Sequence, residues 1–215
     1  MKLLTLQKFG GISLISGSAL LSAYSIFFFL LLPVGEMRHD LTIAVLNSNW
    51  IWLAMVAFLG VILMLFGFAA VYSRLYAESG AVGFVGYLFI QIAYILQACK
   101  ITWEIFVYPV IVENQSSVFL LKDAVLKQNS MVVAFGILAS AAIFVGIILF
   151  CITLVRSEEF PSIAGILIFV GASLYGLGPM RSVFIGISGI LILSIGCLLL
   201  GVRLNRNVST VDQLW

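Results

Sequence analysis

Charge is what this chain most conspicuously lacks. Only 9% of its 215 residues are charged, against about 25% in an ordinary soluble domain. The hydrophobic share is 63% and the mean hydropathy +1.21, so a water-soluble domain and a disordered tail are both excluded. With 11 Lys+Arg against 9 Asp+Glu there is no basic stripe to hold a phosphate backbone, and no nucleic-acid partner is expected. The one histidine, His39, stands in the loop segment Glu36 to Asp40. That leaves no bis-histidine haem, and His39 reads as a solvated loop residue. The three cysteines, Cys99, Cys151 and Cys197, are far apart in apolar runs with no CxxC spacing. Neither a disulfide framework nor a zinc site follows, and packing thiols are the plain reading.

Catalytic signatures are missing as well. No GxSxG, HExxH or phosphate-binding glycine loop is present. Glu158-Glu159 reads as a solvated pair in a short loop, and Gly176-Leu177-Gly178-Pro179 as a turn. The expectation is a protein that is not an enzyme, with no catalytic residue, no metal and no cofactor.

What the chain does have is length between its charges. Charge-free stretches run 9–35, 41–73, 79–99, 128–155, 160–180 and 182–202, each holding at least the roughly 20 residues that cross a bilayer as a helix. Strand-length alternation is absent, so helices must satisfy the backbone. The expected fold is all-α: one polytopic bundle over 1–215 with spans of about 10–32, 50–73, 81–108, 131–155, 162–179 and 183–202. The first is read as an uncleaved span, since no small-x-small cleavage pattern closes it. If the N-terminus is inside, Lys2, Lys8, Arg74, Arg156, Arg203 and Arg206 are cytoplasmic, against Arg38, Lys122, Lys127 and Arg181 outside. That bias puts both termini in the cytoplasm of a bacterial or archaeal cell.

The spans carry two regularities. A proline closes or nearly closes each odd one (Pro33, Pro109, Pro179), and an arginine follows each even one (Arg74, Arg156, Arg203). At an offset of 82, Asn47, Ser48, Ala57, Phe68, Arg74 and Gly83 recur as Asn129, Ser130, Ala139, Phe150, Arg156 and Gly165. These fit three repeated helical hairpins; they also fit the ordinary grammar of membrane helices, with proline as stop and arginine as headgroup anchor. The outer segments after Asp40 and Asp123 are either short interfacial helices or packed loops. Gly10, Gly11, Gly17, Gly186, Gly189 and Gly201 allow close helix packing, within the bundle or against other chains.

One constellation is unusual. Tyr94, Gln97, Lys100, Glu104 and Tyr108 fall within about 120° of one another on a helix, continuing a face begun by Gly83 and Gly86. Lys100 and Glu104 are the only ionisable pair inside a span. Either Lys100 snorkels to the interface beside Trp103 and Tyr108, or the stripe lines a polar cavity. In that cavity Tyr94 and Gln97 supply hydrogen bonds, Lys100 holds an anionic group and Glu104 tunes it.

The run Trp103-Glu104-Ile105-Phe106-Val107-Tyr108-Pro109 and the turn Tyr72-Ser73-Arg74-Leu75-Tyr76 resemble segments of uncharacterised six-span bacterial membrane proteins. The resemblance spans 60–180 in layout and implies no activity. The expected function is therefore that of a non-enzymatic accessory or scaffold subunit, with the bilayer and other membrane chains as partners. The alternative is a small-solute or ion carrier or channel using the Lys100/Glu104 stripe.

Overall fold

The computed structural model describes residues 3–34, 40–114, 116–122, 129–177 and 182–212. His39 and the segment after Asp123 lie outside the described residues. The fold is all-α. Its main helices are α1 (Leu3–Leu31), the single-turn α2 (Thr42–Val45), α3 (Trp50–Thr102), α4 (Tyr108–Glu113), α5 (Ser130–Arg156), α6 (Ser162–Leu177) and α7 (Val183–Asp212). Among the described residues, four stretches are long and apolar enough to cross a membrane: Gln7–Leu31, Trp50–Glu113, Ser130–Arg156 and Val183–Arg206; Ser162–Gly176 is apolar but shorter.

The second of these stretches is a hairpin. As one rod its 64 residues would measure about 96 Å at 1.5 Å per residue, some three times the thickness of a hydrocarbon core. At Gly80 the backbone takes φ 53, ψ −160, a conformation essentially reserved for glycine. The chain there doubles back, and contacts across the two arms lie symmetrically about the turn. Tyr72 stacks on Tyr87 at 4.3 Å and Phe68 on Tyr94 at 5.8 Å. At a similar distance from the turn, the Gln91 amide donates to the Leu65 carbonyl at 3.1 Å. The expected end of the second span at residue 73 is thus extended by about two turns, because Gly80 rather than Arg74 ends the helix.

The helices close into a ring. α1 packs on the first arm of α3, the second arm on α5, α5 on α6, α6 on α7, and α7 returns to α1. Side chains fill the middle. Phe68 meets Phe150 edge to face at 5.7 Å, and Leu14, Met64, Ile90, Leu193 and Cys197 are buried around them. Lipid gives helices no hydrophobic reason to associate, so close approach of backbones must supply the contacts.

Glycine permits that approach in three hairpins, in the same way each time. A Cβ on Gly17 would lie 3.0 Å from the Met64 nitrogen, and one on Gly60 would lie 3.0 Å from Leu21. A Cβ on Gly86 would lie 2.7 Å from the Phe150 nitrogen, and one on Gly146 2.7 Å from the Ile90 nitrogen. Gly171 and Gly189 would each approach the other's carbonyl oxygen to 2.8 Å, beside Leu193 and Tyr175. In every pair, the residue one turn beyond each glycine faces the partner's glycine. This geometry sets Gly60 against Gly146, four residues away from the register that the offset of 82 implies, so sequence identity and spatial equivalence differ by about one turn. Gly17 and Gly189 both face neighbours within their own chain.

At the end away from Arg74, Arg156 and Arg203, the Asp40 carboxylate accepts from both the backbone and the hydroxyl of Thr42, a turn that leads into α2. The Leu41 amide donates to the Leu121 carbonyl at 3.1 Å, so the first loop is tied to residues 116–122. Leu32, Ala44, Val45, Trp50, Leu53 and Leu121 form a small second core there. The described part of these loops is a packed layer.

Candidate functional site

The site is built on a single face of α3's second arm. Gly83, Gly86, Ile90 and Ala93 recur at helical spacing and are buried. The first three meet Thr153, Phe150 and Gly146 of α5. Continued at the same spacing, that face presents Gln97 and Lys100. There α5 is less closely packed. Ala142 is buried and Phe135 and Ala139 half-buried, but Ile137, Leu138 and Met131 are 64%, 59% and 78% exposed, and a Cβ on Gly136 would meet nothing within 4 Å. The seam that glycines close near Arg74 loosens at the loop end into a shallow cleft between the polar edge of α3 and the exposed residues of α5.

The four residues singled out by sequence do not form one cavity. Tyr94 turns inward onto Phe68. Gln97 is exposed in the cleft, and no hydrogen bond of its amide is found among the described residues. Lys100 and Glu104 do meet, with Nζ 3.6 Å from Oε1 and side chains 55% and 13% exposed. The lysine therefore points out and the carboxylate in. Glu104 joins Tyr24, Phe28, Leu32, Trp50, Leu53 and Ala54 around a crevice too narrow to admit water. A stripe 120° wide is broader than one helix contact, so its two edges face different surroundings.

A local defect fixes Glu104. Residues Trp103–Val107 form a π-helical turn, and the Tyr108 amide bonds back to the Trp103 carbonyl. The next residue in that register is Pro109, which has no N–H to offer the Glu104 carbonyl. The Trp50 indole supplies the missing donor, with Nε1 2.9 Å from the Glu104 oxygen. The wider turn accommodates the proline ring, and the helix continues through α4 to Glu113. Pro109 was expected to end the span near residue 108; the π turn is why it does not.

At the arginine end lies a cluster that sequence reasoning missed. Arg74 Nε is 2.7 Å from Glu159 Oε2, with side chains 16% and 35% exposed. Arg203 Nε donates to the main-chain carbonyl of Glu159 at 3.2 Å, and the Ser157 hydroxyl to Glu78 at 2.7 Å. Two turns and the last helix are thereby joined. Arg74 is more than a headgroup anchor, and of the Glu158-Glu159 pair only Glu158 is fully exposed. The signal was the recurrence of arginine after the even spans; which carboxylate it would reach, 85 residues away, no local pattern encodes.

Among the described residues no group of three or more His, Cys, Asp and Glu is placed to hold a metal ion. Compared with known proteins, the chain matches no family model, no curated protein and no solved structure.

Proposed function

We propose that this is a non-enzymatic integral membrane subunit with six crossings in three repeated hairpins and both termini cytoplasmic, whose loop-end cleft receives a transmembrane helix of a partner chain. One observation carries the reading. Among the described residues, the glycines at the helix seams meet a neighbouring helix, whereas Gly136 of α5 stands open, as Gly176 of α6 does, and it lies toward the end where Gln97 has no hydrogen bond. A polar amide at membrane depth is costly to leave unpaired, and glutamine is among the residues that bond across helices in lipid. Gly136 and Ser140 lie on one face of α5, and the Ser140 hydroxyl is already satisfied by the Gly136 carbonyl at 2.8 Å. That face admits a second backbone without leaving a donor unpaired. The six-crossing count rests on the hairpin at Gly80 and on α6 crossing despite its length.

The test is purification in mild detergent with mass analysis of whatever accompanies the chain. Gly136→Leu, whose Cβ would meet nothing within 4 Å, is expected to lose the partner while the melting temperature holds. Gly189→Leu drives into α6 and should instead cost about 1–3 kcal/mol of stability. A wild-type chain that purifies alone and homogeneous would sink the reading.

A second reading, the carrier, is favoured by the exposure of Lys100 in the cleft. It requires that Lys100→Ala and Glu104→Gln abolish uptake at unchanged expression.

A further inference from the structure

The arginine end holds the other unassigned chemistry of the molecule. Glu159 receives two arginines from different helices: Arg74, at the end of α3's first arm, through its carboxylate, and Arg203 of α7 through its carbonyl. Its own amide bonds the Ser157 hydroxyl at 3.0 Å, and that hydroxyl reaches Glu78 beside the Gly80 turn. The segment between α5 and α6 is thus held by polar contacts to both neighbouring elements and by one buried apolar side chain. Under it Phe160 is 3% exposed and closes a core of Leu75, Leu154, Leu204, Cys151 and Cys197.

An ion pair with one side chain a third exposed differs from a buried apolar seam. It is open to salt and water on the Glu159 side, where the side chain is 35% exposed, and its loss removes no packing volume. The glycine seams have no such release. We infer that Glu159 is the catch of a latch: when Arg74 lets go, the 157–161 segment lifts with Phe160 and opens the ring interior to this face only. The inference stands apart from the partner-docking reading, which concerns the opposite end.

The chain carries its own reporters, for Cys151 and Cys197 are 5% and 0% exposed beneath the latch while Cys99 is exposed near the cleft. A membrane-impermeant maleimide is applied to either face of sealed vesicles, and modification of each thiol is followed by mass. In the wild type Cys151 and Cys197 should react slowly. In Glu159→Gln both should react about tenfold faster, as a local opening made easier would give, and only from the face that carries Arg74. Exchange of the charges, Arg74→Glu with Glu159→Arg, should restore slow modification, since the bond from Arg203 is to the main chain. Molar salt should speed modification in the wild type and leave Glu159→Gln unchanged. Equal gains from both faces, a lowered melting temperature accompanying the gain, or no salt response in the wild type would each overturn the latch and leave a static tie.

Discussion

Asp40 shows how much a single side chain can settle when its partners are adjacent in sequence. The Thr42 hydroxyl donates to its carboxylate, and this bond, aided by the Thr42 amide and by Lys122, holds Asp40 below the ordinary aspartate value. A depressed carboxylate contributes stability that is fully present above the unfolded value near 3.8 and disappears as pH falls through the folded one. The contribution of this turn to thermal stability is therefore expected to be constant from neutral pH down to about 4 and lost below that. Thr42→Val should remove most of the acid-side loss; an unchanged profile in that variant would refute the assignment. Glu159 is the opposite case at the same scale. Its neighbours in sequence, Glu158 and Phe160, say nothing about the arginine it binds, so a reading from local pattern leaves it solvated.

Among the elements, the helices were legible and their junctions were not. Charge-free runs marked where the apolar helices begin and end because charge is expelled from lipid whatever the tertiary fold. The first and last helices run past their expected bounds to Leu3 and Asp212, and two inner boundaries moved where backbone chemistry outweighed hydropathy: at Gly80, whose positive φ ends a helix that Arg74 and Glu78 do not, and at Pro109, where a π turn lets the helix run on. The polar stripe was legible as residues but not as a place, since burial separates Tyr94 from Lys100 on one helix. The Pro109 junction can be checked by coupling. Trp50→Phe orphans the Glu104 carbonyl and should cost about 1–3 kcal/mol. In a Pro109→Ala background a restored N–H can bond back into the preceding turn, and the same change should cost clearly less. Additive losses would show that the indole bond and the proline are unrelated.

For the whole molecule, glycine content announced close packing without saying against what. Gly17 and Gly189 were open to both readings, own chain or partner, because a small residue carries no address. The structure spends both inside the ring and leaves Gly136 unspent. Proline and arginine at alternate helix ends suggested a repeat, while the glycine pairs differ in spacing from hairpin to hairpin and follow no constant offset.

The closing seam between α1 and α7 has a consequence for chain connectivity. Ser22 and Ser194 share a hydrogen bond at 2.7 Å, Ser194 also donates to the Ser18 carbonyl at 3.0 Å, and Gly11 lies against Gly201 and Asn205. The first and last helices are thus as much a pair as the helices joined by loops, and they are adjacent at the arginine end. A circular permutant with a short flexible linker from α7 to α1, opened between Ser116 and Ser117, should insert and fold into the same ring. Its melting temperature should stay near that of the parent, because no seam depends on which loop is cut.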